Sequence, residues 1–157
     1  MAEPVAMFSD AENRALAALL DEIIPPSADG RLPGAGDAVR SGLTDATLGS
    51  VPGLDVALKL GLSALEAAAE KRGAAAFVDL PRAEKLASLE EVGAADAGFV
   101  PMAMFLAFAS YYRHAPVLEA MSLEARPPHP KGHAMEPTDL SLLDPVRRRC
   151  KLYRDVT

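Results

Sequence analysis

The chain has 157 residues, a formal charge of −6, 50% hydrophobic residues, 5% aromatic ones and no Trp. That is one domain's worth, enough for a single core but short for an enzyme carrying its own large cofactor, and the alanine-rich, aromatic-poor composition predicts an all-α class rather than a β-sandwich. The single Cys150 excludes an internal disulfide, an iron–sulfur cluster held by this chain alone and a C-x-x-C-H haem attachment, and leaves the compartment open.

The opening stretch, MAEPVAMFSDAEN, has no positive n-region, no apolar segment and no twin arginine, so it does not read as a secretory signal. Ser9 and Glu12 fit a capping box, and Leu16, Leu19, Leu20 and Ile23 follow at helical spacing, predicting a helix over 10–24. Pro25 and Pro26 stop it. Residues 25–38 hold three prolines and three glycines and form an ordered loop or a linker. A short helix is expected over 38–47 and a longer one over 54–72, where Leu54, Leu58, Leu62, Leu65 and Ala69 share a face before Gly73. Pro81 sits at a first helical turn, and Ala83, Leu86, Leu89 and Val92 give a weaker amphipathic helix ending near Gly93.

The stretch FVPMAMFLAFASYY, from Phe99 to Tyr112, is apolar all round apart from Ser110, which marks a central helix or an interface helix. Its longest apolar run, Phe99 to Ala109, is far below the roughly 20 residues that span a bilayer. His114-Ala-Pro116 breaks the helix, and one or two helical turns follow through Val117, Leu118 and Met121. From 122 onward Pro127, Pro128, Pro130, Pro137 and Pro145 allow no more than one short helix. The expected organisation is a helical body over 1–121 with an extended proline-rich C-terminal arm over 122–157, one domain overall. Residues 122–145 reach roughly 80 Å when fully extended, at about 3.3 Å each.

Charge is unevenly placed. Residues 1–112 hold 8 basic and 16 acidic side chains, a balance of −8, whereas 113–157 hold 8 and 6, a balance of +2. This argues against nucleic acid for the body and for an arm that meets an acidic surface. Arg147, Arg148 and Arg149 lack interleaved aromatics and read as a solvated or protein-docking run rather than a nucleic-acid patch.

Motifs for chemistry are weak. "GAGD" at 34–37 begins like a dinucleotide fingerprint, but Val39 takes the third glycine position and Leu32-Pro33 precede it in place of a strand, so it reads as a turn. His114, His129 and His133 with Asp139 or Asp144 match no zinc spacing, and Cys150 stands in no nucleophile motif. Asp21 and Glu22 point to different helix faces and are not an acid/base pair; Asp21 is expected to anchor the Pro25-Pro26 loop. Leu140, Leu142, Leu143, Val146, Leu152 and Tyr153 are too apolar for a disordered polar tail and require a surface to cover. The segment RPPHPKGH, 126–133, reads as a pre-stiffened strap with His129, Lys131 and His133 as polar contacts.

Three segments resemble the gluconate 2-dehydrogenase subunit 3 family: LAALLDEIIPPSADGRLPGAGDA (16–38), SYYRHAPVLEAM (110–121) and PPHPKGHAMEPTDLSLLDPVRRRCKLYRD (127–155). The resemblance implies a non-catalytic small subunit of a periplasmic or membrane-associated sugar or polyol dehydrogenase. It implies a large partner that is a flavoprotein of the glucose-methanol-choline type holding FAD, a cytochrome c acceptor in some complexes, and no cofactor in this chain. The arm resembles small subunits of glucoside 3-dehydrogenases. On this basis Tyr111, Tyr112, Pro128, His129, Pro130, Lys131, His133, Arg147, Arg148 and Tyr153 are the expected partner contacts, none of them catalytic. The alternative is a stand-alone helical domain that binds a small ligand or a metal through His114, His129 and His133.

Overall fold

The computed structural model describes residues 7–126, 132 and 134–150, and these divide between Arg126 and Pro127 into two compact units. Among the described residues the regular structure is helical, with no strand.

In the first unit, α1 spans Asp10–Ile23. The Ser9 hydroxyl accepts from the Glu12 amide at 3.3 Å and the Glu12 carboxylate accepts from the Ser9 amide at 2.7 Å, so the capping box closes in both directions. The loop that follows is ordered. Ser27 receives the Leu32 amide on its hydroxyl at 2.8 Å and donates its own amide to the Leu32 carbonyl at 3.0 Å, and the Ala35 amide returns to the Ile24 carbonyl at 2.9 Å.

The single helix expected over 38–47 is two helices, α2 at Gly36–Arg40 and α3 at Leu43–Ser50. The break has a local cause: Gly42 takes φ 71°, a left-handed conformation that side chains resist, and its amide closes a turn on the Val39 carbonyl. α4, Leu54–Lys71, ends as expected at Gly73, whose φ of 80° lets its amide reach the Glu70 carbonyl and the Ala74 amide reach the Ala69 carbonyl. A short 3-10 turn, Phe77–Asp79, is tied to α4 by the Glu66 carboxylate, which accepts from the Phe77 amide at 2.8 Å. Pro81 then caps α5, Arg82–Ala95, which runs past Gly93. α6 is Phe99–Tyr111 and α7 is Ala115–Ala120.

The core is leucine-rich and lies where α1, α4 and α6 meet, with Leu16, Leu20, Leu58, Leu62, Leu65, Phe99 and Leu106 all buried. Gly61 is the point of closest approach: a Cβ there would fall inside the Phe99 ring, so the missing side chain is what lets the ring lie on α4. Ser110 is fully buried, and its hydroxyl meets that of Thr47 at 3.4 Å, joining α6 to α3. The chain turns by 117° from α3 to α4 and by 119° from α5 to α6, and among the described residues no single helix is long and apolar enough to cross a membrane.

The second unit, described over 132 and 134–150, carries a 3-10 turn at Leu140–Leu143, capped by the Asp139 carboxylate on the Ser141 amide at 3.0 Å, and a one-turn helix, α8, at Asp144–Arg147. Met135, Leu140, Leu142, Leu143 and Val146 are exposed within this unit. Most of the strap RPPHPKGH lies outside the described residues.

Candidate functional site

Two of the segments singled out in the sequence, 16–38 and 110–121, come together around the start of α2. α1 contributes Asp21, in its last turn, and the Asp21 carboxylate accepts from the Gly36 amide at 2.8 Å and faces Arg40 at 3.4 Å. Asp21 therefore secures the far end of the proline loop, at Gly36, rather than the prolines themselves. Gly34 and Gly36 have no room for a Cβ. At Gly34 it would run into the Asp21 carboxylate, and at Gly36 into the Ala17 carbonyl of α1 as well. The GAG turn is thus a close approach between a loop and a helix, and the Gly36 amide, which a phosphate would require, is already used by Asp21.

The turn is held from its other side by α6 and α7. Tyr111 is 4% exposed and its hydroxyl donates to the Pro33 carbonyl at 3.1 Å. Burial pushes the Tyr111 phenol up, with the neighbouring Tyr112 adding to the shift, so it remains a proton donor. His114, half-buried just before α7, places Nε2 at 2.9 Å from the Asp37 carboxylate. The hydrogen bond from His114 holds the Asp37 carboxyl below its ordinary range against a smaller opposing effect of burial, with the charges of His114 and Arg40 assisting. Two carboxylates, an imidazole, a phenol and two glycines thus clasp α1, the turn into α2 and the distant α6–α7 junction together.

The two adjacent tyrosines differ in burial. Tyr111 faces inward to the loop, whereas Tyr112 is 51% exposed and packs edge-on against Tyr111 and stacked on Phe108 at a centroid distance of 6.4 Å. Phe108 continues a row of exposed apolar side chains along α6 with Met104 and Phe105. A shallow groove of about 490 Å³ adjoins the row, lined by Val51, Pro52, Leu54, Pro101, Met102 and Phe105. α6 is therefore core on one face and bare on the other, where no charged residue interrupts it.

Of the other expected contacts, Arg147 pairs with Asp144 at 3.3 Å and Arg148 is exposed, both in the second unit. Pro128, His129, Pro130, Lys131, His133 and Tyr153 lie outside the described residues. His114, the one histidine of the metal alternative that is described, is committed to Asp37, and among the described residues no three His, Cys, Asp or Glu side chains cluster to hold a metal. Local sequence does not mark Asp37, Gly34 or Gly36 for this clasp, nor Phe105 and Phe108 as the exposed half of α6. Their signal was their place inside the family-like segments and the all-apolar helix.

A model of the gluconate 2-dehydrogenase subunit 3 family matches residues 10–128. The chain belongs to the gluconate 2-dehydrogenase subunit 3 family. No curated protein and no solved structure shows significant similarity to it. The family is that of a subunit of a multi-subunit dehydrogenase, which implies a partner subunit. Both arms of the clasp, from Asp21 to Asp37 and from Tyr111 to His114, lie within the matched span, so the clasp belongs to the gluconate 2-dehydrogenase subunit 3 domain itself.

Proposed function

We propose that this chain is the non-catalytic small subunit of an FAD-dependent sugar or polyol dehydrogenase, which it stabilises and helps to mature or export. The large partner on this reading is a glucose-methanol-choline-type flavoprotein in which hydride passes from sugar to flavin. The glucoside 3-dehydrogenase class is the narrower choice, a cytochrome c is an electron acceptor in some such complexes, and the assembled complex is periplasmic.

The observation that carries the reading is the bare face of α6 on a domain of a dehydrogenase-subunit family. Met104, Phe105, Phe108 and Tyr112 lie side by side with no charge among them, a composition suited to the core of a subunit interface. Residues of the second unit extend the proposal: Arg147 and Arg148, together with Pro128, His129, Pro130, Lys131, His133 and Tyr153, are assigned to docking. Tyr111 supports that surface from within by fixing the loop behind it.

Co-expression with the proposed large flavoprotein subunit tests the reading. The expected result is a complex that co-elutes on size exclusion, with more soluble, flavin-loaded partner than is recovered without the small subunit. A large subunit that is equally soluble, loaded and active alone, together with a small subunit that elutes as a monomer, overturns it. Phe105→Ser with Phe108→Ser is expected to weaken co-elution while leaving the helical content of the isolated chain unchanged.

A further inference from the structure

A second surface lies on the opposite side of α1 from the core. A cleft of about 440 Å³ opens between α1, α2, the 3-10 turn Phe77–Asp79 and α5. Its floor is aliphatic, made by Ala17, Ala18, Val39 and Val78. Its rim is charged, and there the arrangement departs from that of the body. Residues 1–112 carry only 8 basic side chains against 16 acidic ones, yet Arg14, Arg40 and Lys85 line this cleft and Arg82 stands beside it. Half of the body's cations thus gather at one depression of an acidic domain.

The two carboxylates of the rim are already answered. Asp21 accepts from the Gly36 amide and faces Arg40, and Glu22, whose side chain is 12% exposed, pairs with Arg82 at 3.2 Å. Arg14 and Lys85 have no anionic partner within 4 Å among the described residues. The cleft is therefore an aliphatic trough flanked by two cations that make no salt bridge among the described residues, one from α1 and one from α5.

We propose that this cleft receives an acidic segment of the partner dehydrogenase subunit, with carboxylates meeting Arg14 and Lys85 and an aliphatic side chain on the Ala17, Ala18, Val39 and Val78 floor. The proposal rests on the subunit reading above and adds a contact site and a chemistry to it. Charge complementarity selects the occupant: a basic or neutral segment would leave both cations unanswered, and a purely apolar one would desolvate them without return. The site is distinct from the uncharged face of α6, so the partner would grip the domain at two chemically different places.

The test uses the full chain co-expressed with the proposed large flavoprotein subunit, with affinity measured over a salt series. Arg14→Glu/Lys85→Glu is compared with the milder Arg14→Gln/Lys85→Gln and with Arg31→Glu/Lys71→Glu, which changes net charge equally at sites outside the cleft. Since rim charges act mainly on association and are screened by salt, the cleft reversal is expected to weaken binding by about tenfold or more at low salt. The glutamine pair should weaken it less, and both differences should shrink as salt rises. Circular dichroism of each free variant separates lost binding from lost folding, and the glutamine pair serves if the reversal misfolds. Wild-type affinity in the cleft variants, or an equal loss in the Arg31/Lys71 control, overturns the cleft proposal and leaves the subunit reading standing. Failure of the wild-type chain to bind overturns both.

Discussion

The hydroxyl of Tyr111 donates to the carbonyl of Pro33, 3.1 Å away and 78 residues earlier in the chain. One hydrogen bond thus closes the proline loop onto the end of α6. Tyr111→Phe keeps the ring and strands a part-buried carbonyl, so it is expected to cost about 1 kcal/mol, read as a lower midpoint in urea at unchanged slope. Tyr111→Ala also empties the ring's volume and is expected to cost about 3–5 kcal/mol.

Gly36 faces the Ala17 carbonyl, a backbone atom that cannot rotate aside. Gly36→Ala should therefore push α2 off α1 and break the Asp21 bond, at a cost of about 3 kcal/mol by thermal unfolding. Gly49, in α3, supplies the contrast: nothing lies within 4 Å of an added Cβ, and Gly49→Ala is expected to gain about 0.5–1 kcal/mol.

Asp37 has its carboxyl held below the ordinary range, first by the hydrogen bond from His114 and then by the charges of His114 and Arg40. A carboxylate whose pKa is lower folded than unfolded adds stability above its unfolded pKa of about 3.9 and loses it as pH falls through the folded value. The stability gap between the wild type and Asp37→Asn is expected to shrink as pH falls from about 5 and to close below about pH 4, as the carboxylate is protonated in the folded state too. Urea melts at successive pH values from about 5 down to about 3 check this, and a gap that persists or widens over that range contradicts the clasp.

Ser122 is the one described non-glycine residue with positive φ, at 60°, and it ends α7 in the position where Gly73 ends α4. Its amide reaches the Glu119 carbonyl and the Leu123 amide the Leu118 carbonyl, the same double closure. Ser122→Gly is expected to raise stability by up to about 1 kcal/mol, and Gly73→Ala to lower it by a similar amount, both by thermal melts.

Much of the helical order is written in short runs of residues. Ser9 and Glu12, Pro25 and Pro26, Gly73 and Pro81 each act on neighbours within a few positions, so the ends of α1 and α4 and the start of α5 are legible without a fold. The split into α2 and α3 was not, because a glycine inside an apolar pattern reads equally as tolerated or as a break until its φ is known. The all-apolar run of α6 announced a helix to be covered on every side, yet composition carries no direction. Only the packing of α1, α3 and α4 on α6, which buries Leu106 and Ala107, left Phe105 and Phe108 bare.

The same division applies to the sites. Residue types and their order were enough for an all-helical chain of this family, since propensity, capping and motif order are properties of contiguous sequence. Which tyrosine turns inward, which carboxylate meets His114 and which cations gather beside Ala17 depend on contacts across tens of residues. Those contacts exist only once helices with no individual preference for one another have packed into a single arrangement.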